Sequence, residues 1–113
     1  MNSVSVGIED INIYSGELYI DVKYIFKNRN LNMERYDNLM MEEKSVGLSC
    51  EDVVTNGVNA AKPIIDKLSD EERNSIELLI TSSESGIDFG KSISTYIHKY
   101  LGLNKNCCIF EVK

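Results

Sequence analysis

The carboxyl-terminal half of the chain alternates between two patterns of apolar positions. Residues 76–80 form a short, mostly apolar run that is typical of a buried β-strand, and residues 107–112 form another. Between them, residues 89–101 carry apolar side chains at helical spacing, and Gly102 follows as a residue that commonly ends helices. The order predicts a β–α–β unit with parallel strands, whose carboxyl ends meet at one edge of the sheet.

The amino-terminal half has shorter patterns. Residues 4–14 alternate loosely between apolar and polar side chains, which predicts a strand. Asp21 and Asn32 are of the residue types that cap helix N-termini, and an apolar stripe follows each of them. We therefore expect one short helix after Asp21 that ends within residues 27–30, and a second after Asn32 that runs through Leu39.

The strongest helical pattern covers residues 51–68, where apolar and small side chains recur at helical spacing. Pro63 lies within it and predicts a kink or a break, because proline has no backbone N–H to donate. Ser69 and Glu72 then have the spacing of a capping box, which predicts a further turn of helix. Taken together, the patterns predict an α/β fold in which helices pack on a mixed or parallel sheet.

Composition narrows the functional classes. A chain of 113 residues makes at most one small domain, and its 42% hydrophobic residues are enough to bury a core. The net charge is −6 without a basic stripe, which argues against nucleic acid as the main partner. No apolar run is long enough to span a membrane, and the N-terminus lacks the pattern of a secretory signal. These features predict a cytoplasmic protein with no membrane association.

The three cysteines are Cys50, Cys107 and Cys108. They include an adjacent pair but no CxxC spacing and no accompanying histidines, which fits neither a zinc site nor a secreted disulfide framework. We interpret them as reduced residues that pack in the core. The sequence predicts no metal site.

One carboxylate stands out by its position. Glu84 lies in the polar run just beyond the strand at residues 76–80 and before the following helix. Active sites of open α/β sheets lie at this edge. The spacing alone favours a simpler interpretation, in which Glu84 is a solvated loop residue or a charge near a helix N-terminus.

Sequence motifs around Glu84 and elsewhere in the chain favour a functional interpretation of this residue. Several segments resemble, in the same order, the amino-terminal part of the hydroxymethylglutaryl-CoA synthase family of the thiolase superfamily. They are Val6-Gly-Ile-Glu-Asp-Ile-Asn-Ile-Tyr14, Asn59-Ala-Ala-Lys62, Thr81-Ser-Ser-Glu-Ser-Gly-Ile-Asp-Phe-Gly-Lys-Ser92, Tyr96-Ile-His98, Leu101-Gly-Leu103 and Cys108-Ile-Phe-Glu-Val-Lys113. The resemblance spans nearly the whole chain, and it implies that residues 1–113 are the amino-terminal portion of a thiolase-like domain, incomplete as given.

The resemblance also implies a reaction. Members of the family condense an acetyl thioester, held on a cysteine, with a β-ketoacyl thioester in an aldol-type step. Their general acid/base glutamate matches Glu84, and a carboxylate suits this task because partial desolvation makes it a better proton acceptor. Their nucleophilic cysteine belongs to an Ala-Cys motif that follows the Phe-Glu-Val-Lys strand. We therefore expect no nucleophile in this chain and no activity from it alone, since Cys107 and Cys108 precede that strand.

Residues 38–44, Asn-Leu-Met-Met-Glu-Glu-Lys, depart from the glycine-rich segment usual in the mevalonate-pathway enzymes. They resemble instead the branch that acts in polyketide β-branching, whose substrates are held on acyl carrier proteins. Asn32 occupies the position of an acidic residue that contacts coenzyme A in the mevalonate branch, so we assign no such role to Asn32. No resident cofactor is expected, because coenzyme A or phosphopantetheine arrives with the substrate.

The expected partners are acyl carrier proteins or acyl-CoA substrates, and the remainder of the synthase as a second chain or missing segment. The full enzyme is expected to be a homodimer. Two alternatives stay open: a mevalonate-pathway hydroxymethylglutaryl-CoA synthase, and a non-catalytic thiolase-like subunit or docking module. His98 has no acidic partner one helical turn away, and we interpret it as a surface or half-buried residue.

Overall fold

A computed structural model describes residues 5–113, which divide into two compact units. The smaller unit (residues 15–52) contains two strands and two helices. In chain order these are β1 (Leu18–Asp21), α1 (Val22–Asn28), α2 (Met33–Leu39) and β2 (Glu43–Val46). The strands pair antiparallel, with Leu18 opposite Val46.

Both predicted helix caps of the smaller unit are confirmed. The Asp21 carboxylate accepts a hydrogen bond from the N–H of Tyr24 at 3.0 Å, and the Asn32 side chain accepts one from Glu34 at 2.9 Å. These bonds satisfy amide groups of the first helical turn that have no partner within the helix. The pairing of β1 with β2, which are connected through α1 and α2, was not predicted, because seven of the eight strand residues are exposed and the strands have no buried alternating face.

The larger unit consists of residues 5–14 and Val53–Lys113. Its elements are α3 (Val53–Ile65), α4 (Asp70–Asn74), β3 (Leu78–Ser82), α5 (Ile93–Leu101) and β4 (Cys108–Val112). Strands β3 and β4 pair in parallel, with Leu78 opposite Cys108 and Ser82 opposite Val112. The predicted β–α–β unit is thereby confirmed, although β3 begins and ends two residues later than expected.

Helices α3 and α5 form the core together with one side of the β3–β4 sheet. The buried cluster comprises Val54, Ile93, Ile97, Leu101, Leu103 and Cys107. Gly57 allows the two helices to approach closely, because a Cβ atom at this position would lie only 2.6 Å from Cδ1 of Ile97. The larger unit thus depends on a helix contact that a bulkier residue at position 57 would disturb.

The predicted strand at residues 4–14 is wrong for the part that the structure describes, and Val4 lies outside the described residues. Residues 5–14 contain no strand, and apolar side chains such as Val6 and Ile8 are almost fully exposed. A strand requires a neighbour that accepts its backbone hydrogen bonds. This segment instead contacts the rest of the larger unit through side chains: Asn12 donates to the carbonyl of Ala60 at 2.7 Å.

Two helices are shorter than predicted. Helix α3 ends at Ile65 and not at residue 68, and Pro63 lies in its last turn, where the missing N–H removes one of the final helical hydrogen bonds. Helix α5 begins at Ile93 and not at residue 89, because the Asp88 carboxylate accepts the N–H groups of Gly90 and Lys91 in a local turn.

The capping box before α4 is confirmed. Ser69 Oγ accepts the N–H of Glu72 at 3.3 Å, and the Glu72 carboxylate accepts the N–H of Ser69 at 2.8 Å. The Glu72 carboxylate also accepts the Ser69 hydroxyl at 2.8 Å, and the Ser69 N–H, followed by this hydroxyl, holds the pKa of Glu72 below its usual range. Among residues 5–113, no helix has the length and apolar character that crossing a bilayer requires.

The packing of α5 predicts a sharp contrast between its two faces. Ile97 is 4% exposed, and Tyr100 on the same helix is 67% exposed. We expect Ile97→Ala to lower the free energy of unfolding by about 2–5 kcal/mol, because it leaves a cavity in the core. Tyr100→Ala, as the matched control, should change it by less than about 1 kcal/mol. Urea unfolding followed by circular dichroism measures both, and equal losses would contradict the assigned faces.

Candidate functional site

Glu84 lies in the segment between β3 and α5, here called the Glu84 loop (residues 83–92). The loop leaves the carboxyl end of β3, and its first residue is tied to the neighbouring strand: the N–H of Ser83 donates to the carbonyl of Val112 at 3.2 Å. Because β3 and β4 are parallel, Lys113 emerges at the same edge. The predicted proximity of the Glu84 loop to the end of β4 is confirmed.

Asp88 organises the second half of the Glu84 loop. Its Oδ1 accepts hydrogen bonds from the N–H groups of Gly90 at 2.7 Å and Lys91 at 3.2 Å, and its Oδ2 accepts one from the Tyr96 hydroxyl at 3.0 Å. The Gly90 amide, followed by the Tyr96 hydroxyl, holds the pKa of Asp88 below its usual range. Since Tyr96 lies on α5, this carboxylate anchors the loop to the helix.

Glu84 itself is exposed, and within residues 5–113 its carboxylate has no hydrogen bond or ion pair. The carboxylate that accepts the N–H of Ile93 at the start of α5, at 2.7 Å, belongs to Glu111 and not to Glu84. The side chain is therefore free to meet a ligand at the carboxyl edge of the sheet. This position is the one at which α/β sheets hold their reacting groups.

The two carboxyl-terminal cysteines lie at the opposite edge of the sheet. Cys107 immediately precedes β4 and Cys108 opens it, whereas the Glu84 loop follows the far end of the parallel strand β3. Cys107 is buried, and its burial raises the pKa of its thiol. The packing interpretation is confirmed for Cys107, but it is wrong for Cys108 and Cys50, which are exposed.

His98 is half-buried, as expected. Its Nε2 lies 2.8 Å from the carbonyl oxygen of Asn104, which the ring N–H can donate to. Asn104 in turn donates to the carbonyl of Ile76 at 2.8 Å, at the amino edge of the sheet. His98 thus supports the turn after α5 and is not brought to Glu84. In the part of the chain that the structure describes, no cluster of three or more His, Cys, Asp or Glu side chains could hold a metal ion.

The smaller unit has a cleft of about 540 Å³ that the sequence did not reveal. Its lining residues combine apolar side chains with two cations; they are Ile20, Tyr24, Ile25, Asn28, Arg29, Lys44, Ser45 and Val46. Ile20 and Lys44 lie opposite each other in the antiparallel pair of β1 and β2. Because the pairing of β1 with β2 was not predicted, the sequence could not show that Lys44 and Arg29 line the same cleft.

No family model matches the sequence. The chain is 64% identical over 110 residues to the polyketide biosynthesis 3-hydroxy-3-methylglutaryl-ACP synthase PksG of Bacillus subtilis (strain 168). The alignment covers 97% of this chain and 26% of the relative. The solved structure of PksG superposes with a TM-score of 0.84 over 95% of this chain. Over nearly its whole length, the chain is similar to the amino-terminal part of hydroxymethylglutaryl synthases. Its fold is accordingly α/β and thiolase-like.

Two further synthases differ in their sequence identity to this chain. The curacin biosynthetic pathway HMG synthase, solved in complex with acetyl donor-ACP, is 55% identical, with a TM-score of 0.82 over 95% of this chain and 26% of that chain. The hydroxymethylglutaryl-CoA synthase of Enterococcus faecalis is 27% identical over 97% of this chain and 28% of the relative. The chain thus spans about a quarter of the length of the relatives it matches.

The contacts of Asp88 predict a dependence on pH. Because the pKa of Asp88 is lowered from 3.8 in the folded chain, its contribution to stability is present above pH 3.8 and is lost as pH falls through the lowered value. Carboxyl-carbon NMR titration should place the Asp88 transition below pH 3.8. Tyr96→Phe removes one donor and should move this transition upward. An Asp88 transition above pH 3.8 in the parent chain would contradict the loop geometry.

Proposed function

We propose that this chain supplies Glu84 as the general acid/base of a hydroxymethylglutaryl-type synthase that acts on acyl carrier proteins in polyketide β-branching. The observation that carries the proposal is the identity of 64% to the Bacillus subtilis HMG-ACP synthase, against 27% to the Enterococcus faecalis CoA enzyme. The exposed carboxylate of Glu84 at the carboxyl edge of the sheet supports it.

In the proposed reaction, Glu84 takes a proton from the methyl carbon of the enzyme-bound acetyl thioester. The electron pair of that C–H bond forms the new bond to the ketone carbon of the β-ketoacyl thioester, and the ketone oxygen receives the displaced π electrons. Protonated Glu84 then returns its proton to this oxygen. Water hydrolyses the enzyme thioester and releases the product.

The acetylated cysteine is proposed to come from outside these 113 residues. Cys107 and Cys108 lie at the amino edge of the sheet, away from the Glu84 loop, and Cys107 is buried. Neither thiol can therefore hold an acetyl group next to Glu84 in this arrangement. The chain alone is proposed to be inactive, and a cytoplasmic homodimer is proposed for the complete enzyme.

The uncovered face of the β3–β4 sheet supports the remainder of the synthase as a partner. Ile80 and Phe110, which lie opposite each other in the ladder, are each 59% exposed, and neighbouring Leu78 and Val112 are exposed as well. Parallel sheets are normally covered on both faces. Polypeptide that belongs to the rest of the enzyme is proposed to cover this face, where the carboxyl-terminal part would also bring its nucleophile to Glu84.

The cleft of the smaller unit is proposed to receive the phosphopantetheine arm of the carrier protein. Arg29 and Lys44 supply positive charge that matches a phosphate group, and the apolar walls suit the uncharged part of the arm. The net charge of the whole chain is −6. Two cations that line one cleft of such an acidic chain favour the binding of a negatively charged phosphate at that place.

The decisive experiment uses a hybrid synthase, in which this chain replaces the matching part of the Bacillus subtilis relative. We expect Glu84→Gln to lower kcat for condensation by about 10² to 10⁴-fold, because an amide cannot carry the proton. Glu71→Gln, an exposed residue of α4, serves as the control and should leave kcat unchanged.

Two results of this assay would contradict the proposal. Full kcat in Glu84→Gln would favour the non-catalytic docking module. A preference of the parent hybrid for acetyl-CoA over acetyl-carrier protein would favour the mevalonate-pathway alternative.

The cleft generates a separate prediction for the isolated chain. Arg29→Ala should weaken the binding of phosphopantetheine about tenfold, because a charge-assisted hydrogen bond to phosphate is lost. Lys27, in the last turn of α1, is a nearby cation that does not line the cleft, and Lys27→Ala should bind as the parent does. NMR titration measures both. Equal weakening by the two variants would indicate a general effect of charge and would contradict a specific site.

A further inference from the structure

Glu111 is a strand residue whose carboxylate bonds to a helix. It lies on β4 with its side chain 14% exposed, and its Oε2 accepts the N–H of Ile93, the first residue of α5, at 2.7 Å. Ser92, the residue in the N-cap position of α5, makes no capping hydrogen bond with its own side chain. Glu111 therefore takes over this role from a distant part of the sequence, and its negative charge suits the positive end of the helix.

The same bond closes the Glu84 loop. At its beginning, the N–H of Ser83 donates to the carbonyl of Val112, and just after its end the N–H of Ile93 donates to the Glu111 side chain. Both ends of the loop are thus tied to two consecutive residues of β4. The first tie is made by the backbone and is insensitive to side-chain identity, whereas the second depends on Glu111.

We propose that Glu111 is a positioning residue, which holds the Glu84 loop against the end of β4 and thereby sets the location of the Glu84 carboxylate. This inference rests on the proposed function of Glu84. A reacting group must be held within a fraction of an ångström of its productive position, and loops reach this precision only when supporting residues restrain them.

The ion pair of Glu111 is a competing explanation for its presence. Lys113 Nζ lies 3.8 Å from Glu111 Oε1, but the Lys113 side chain is 64% exposed, and such a pair contributes little. Glu111→Gln separates the two contacts, because the amide oxygen can still accept the N–H of Ile93 while the charge that attracts Lys113 is gone. Glu111→Ala removes both contacts.

Amide hydrogen exchange of the 113-residue chain tests the restraint directly. Glu111→Ala should raise exchange about tenfold or more at residues 83–95 and leave α3 unchanged, because the loop and the first turn of α5 open locally. Glu111→Gln should exchange as the parent does. Glu77→Ala, an exposed glutamate just before β3, is the matched control and should also match the parent. Unchanged exchange at residues 83–95 in Glu111→Ala, or an equal rise in α3, would overturn the proposal.

Kinetics of the hybrid synthase test the consequence for Glu84. Glu111→Ala should lower kcat about tenfold to a hundredfold with KM nearly unchanged, because a displaced acid/base slows the proton transfer and not substrate binding. Glu111→Gln should restore most of kcat. If Glu84→Gln abolishes condensation and Glu111→Ala retains full kcat, the positioning role is wrong. If Glu84→Gln itself has no effect, the proposed function is wrong, and the positioning role is overturned with it.

Discussion

The parallel ladder between β3 and β4 is the interaction on which the rest of the larger unit depends. Two parallel strands cannot be joined by a tight turn, so the chain must cross over between them, and α5 is that crossover. The helix buries Ile97 and Leu101 against α3 and one face of the sheet. Because the ladder also aligns the strand ends, it brings the Glu84 loop to the same edge as Glu111 and the end of β4.

The loop at this edge is held by its surroundings and not by Glu84. Asp88 bonds to the loop backbone and to Tyr96, and Glu111 bonds to the start of α5. The Glu84 carboxylate remains exposed and uncommitted. A carboxylate that transfers protons at carbon works best when water is partly excluded. The proposed role therefore requires that bound substrate, or polypeptide over the uncovered sheet face, close the site around Glu84.

In the proposed function, one unit supplies the reacting group and the other supplies the binding cleft. The larger unit holds the carboxylate at a sheet edge, while the smaller unit holds a cationic cleft bordered by the paired strands β1 and β2 and by α1. Residues 38–44, whose departure from the mevalonate enzymes pointed to carrier proteins, lie in the smaller unit. The identity to the polyketide relatives extends over nearly the whole chain and therefore includes residues of both units.

Elements whose signals are local could be predicted from the sequence. The caps at Asp21 and Asn32, the capping box at Ser69 and the strand–helix–strand order around Glu84 all depend on neighbouring residues, and all were predictable. The family, and with it the interest of Glu84, could also be inferred from the motifs. Helix ends were less predictable, because Asp88 competes for amide groups that a helix would otherwise use.

Contacts between distant segments could be seen only once the chain was folded. Alternation in residues 5–14 is compatible with a strand, but a strand forms only where a partner accepts its hydrogen bonds. Likewise, Lys44 joins Arg29 through the pairing of two exposed strands, and Glu111 caps α5 from across the sheet. Such contacts leave no periodic trace in the sequence, because they depend on which strands pair and in which register.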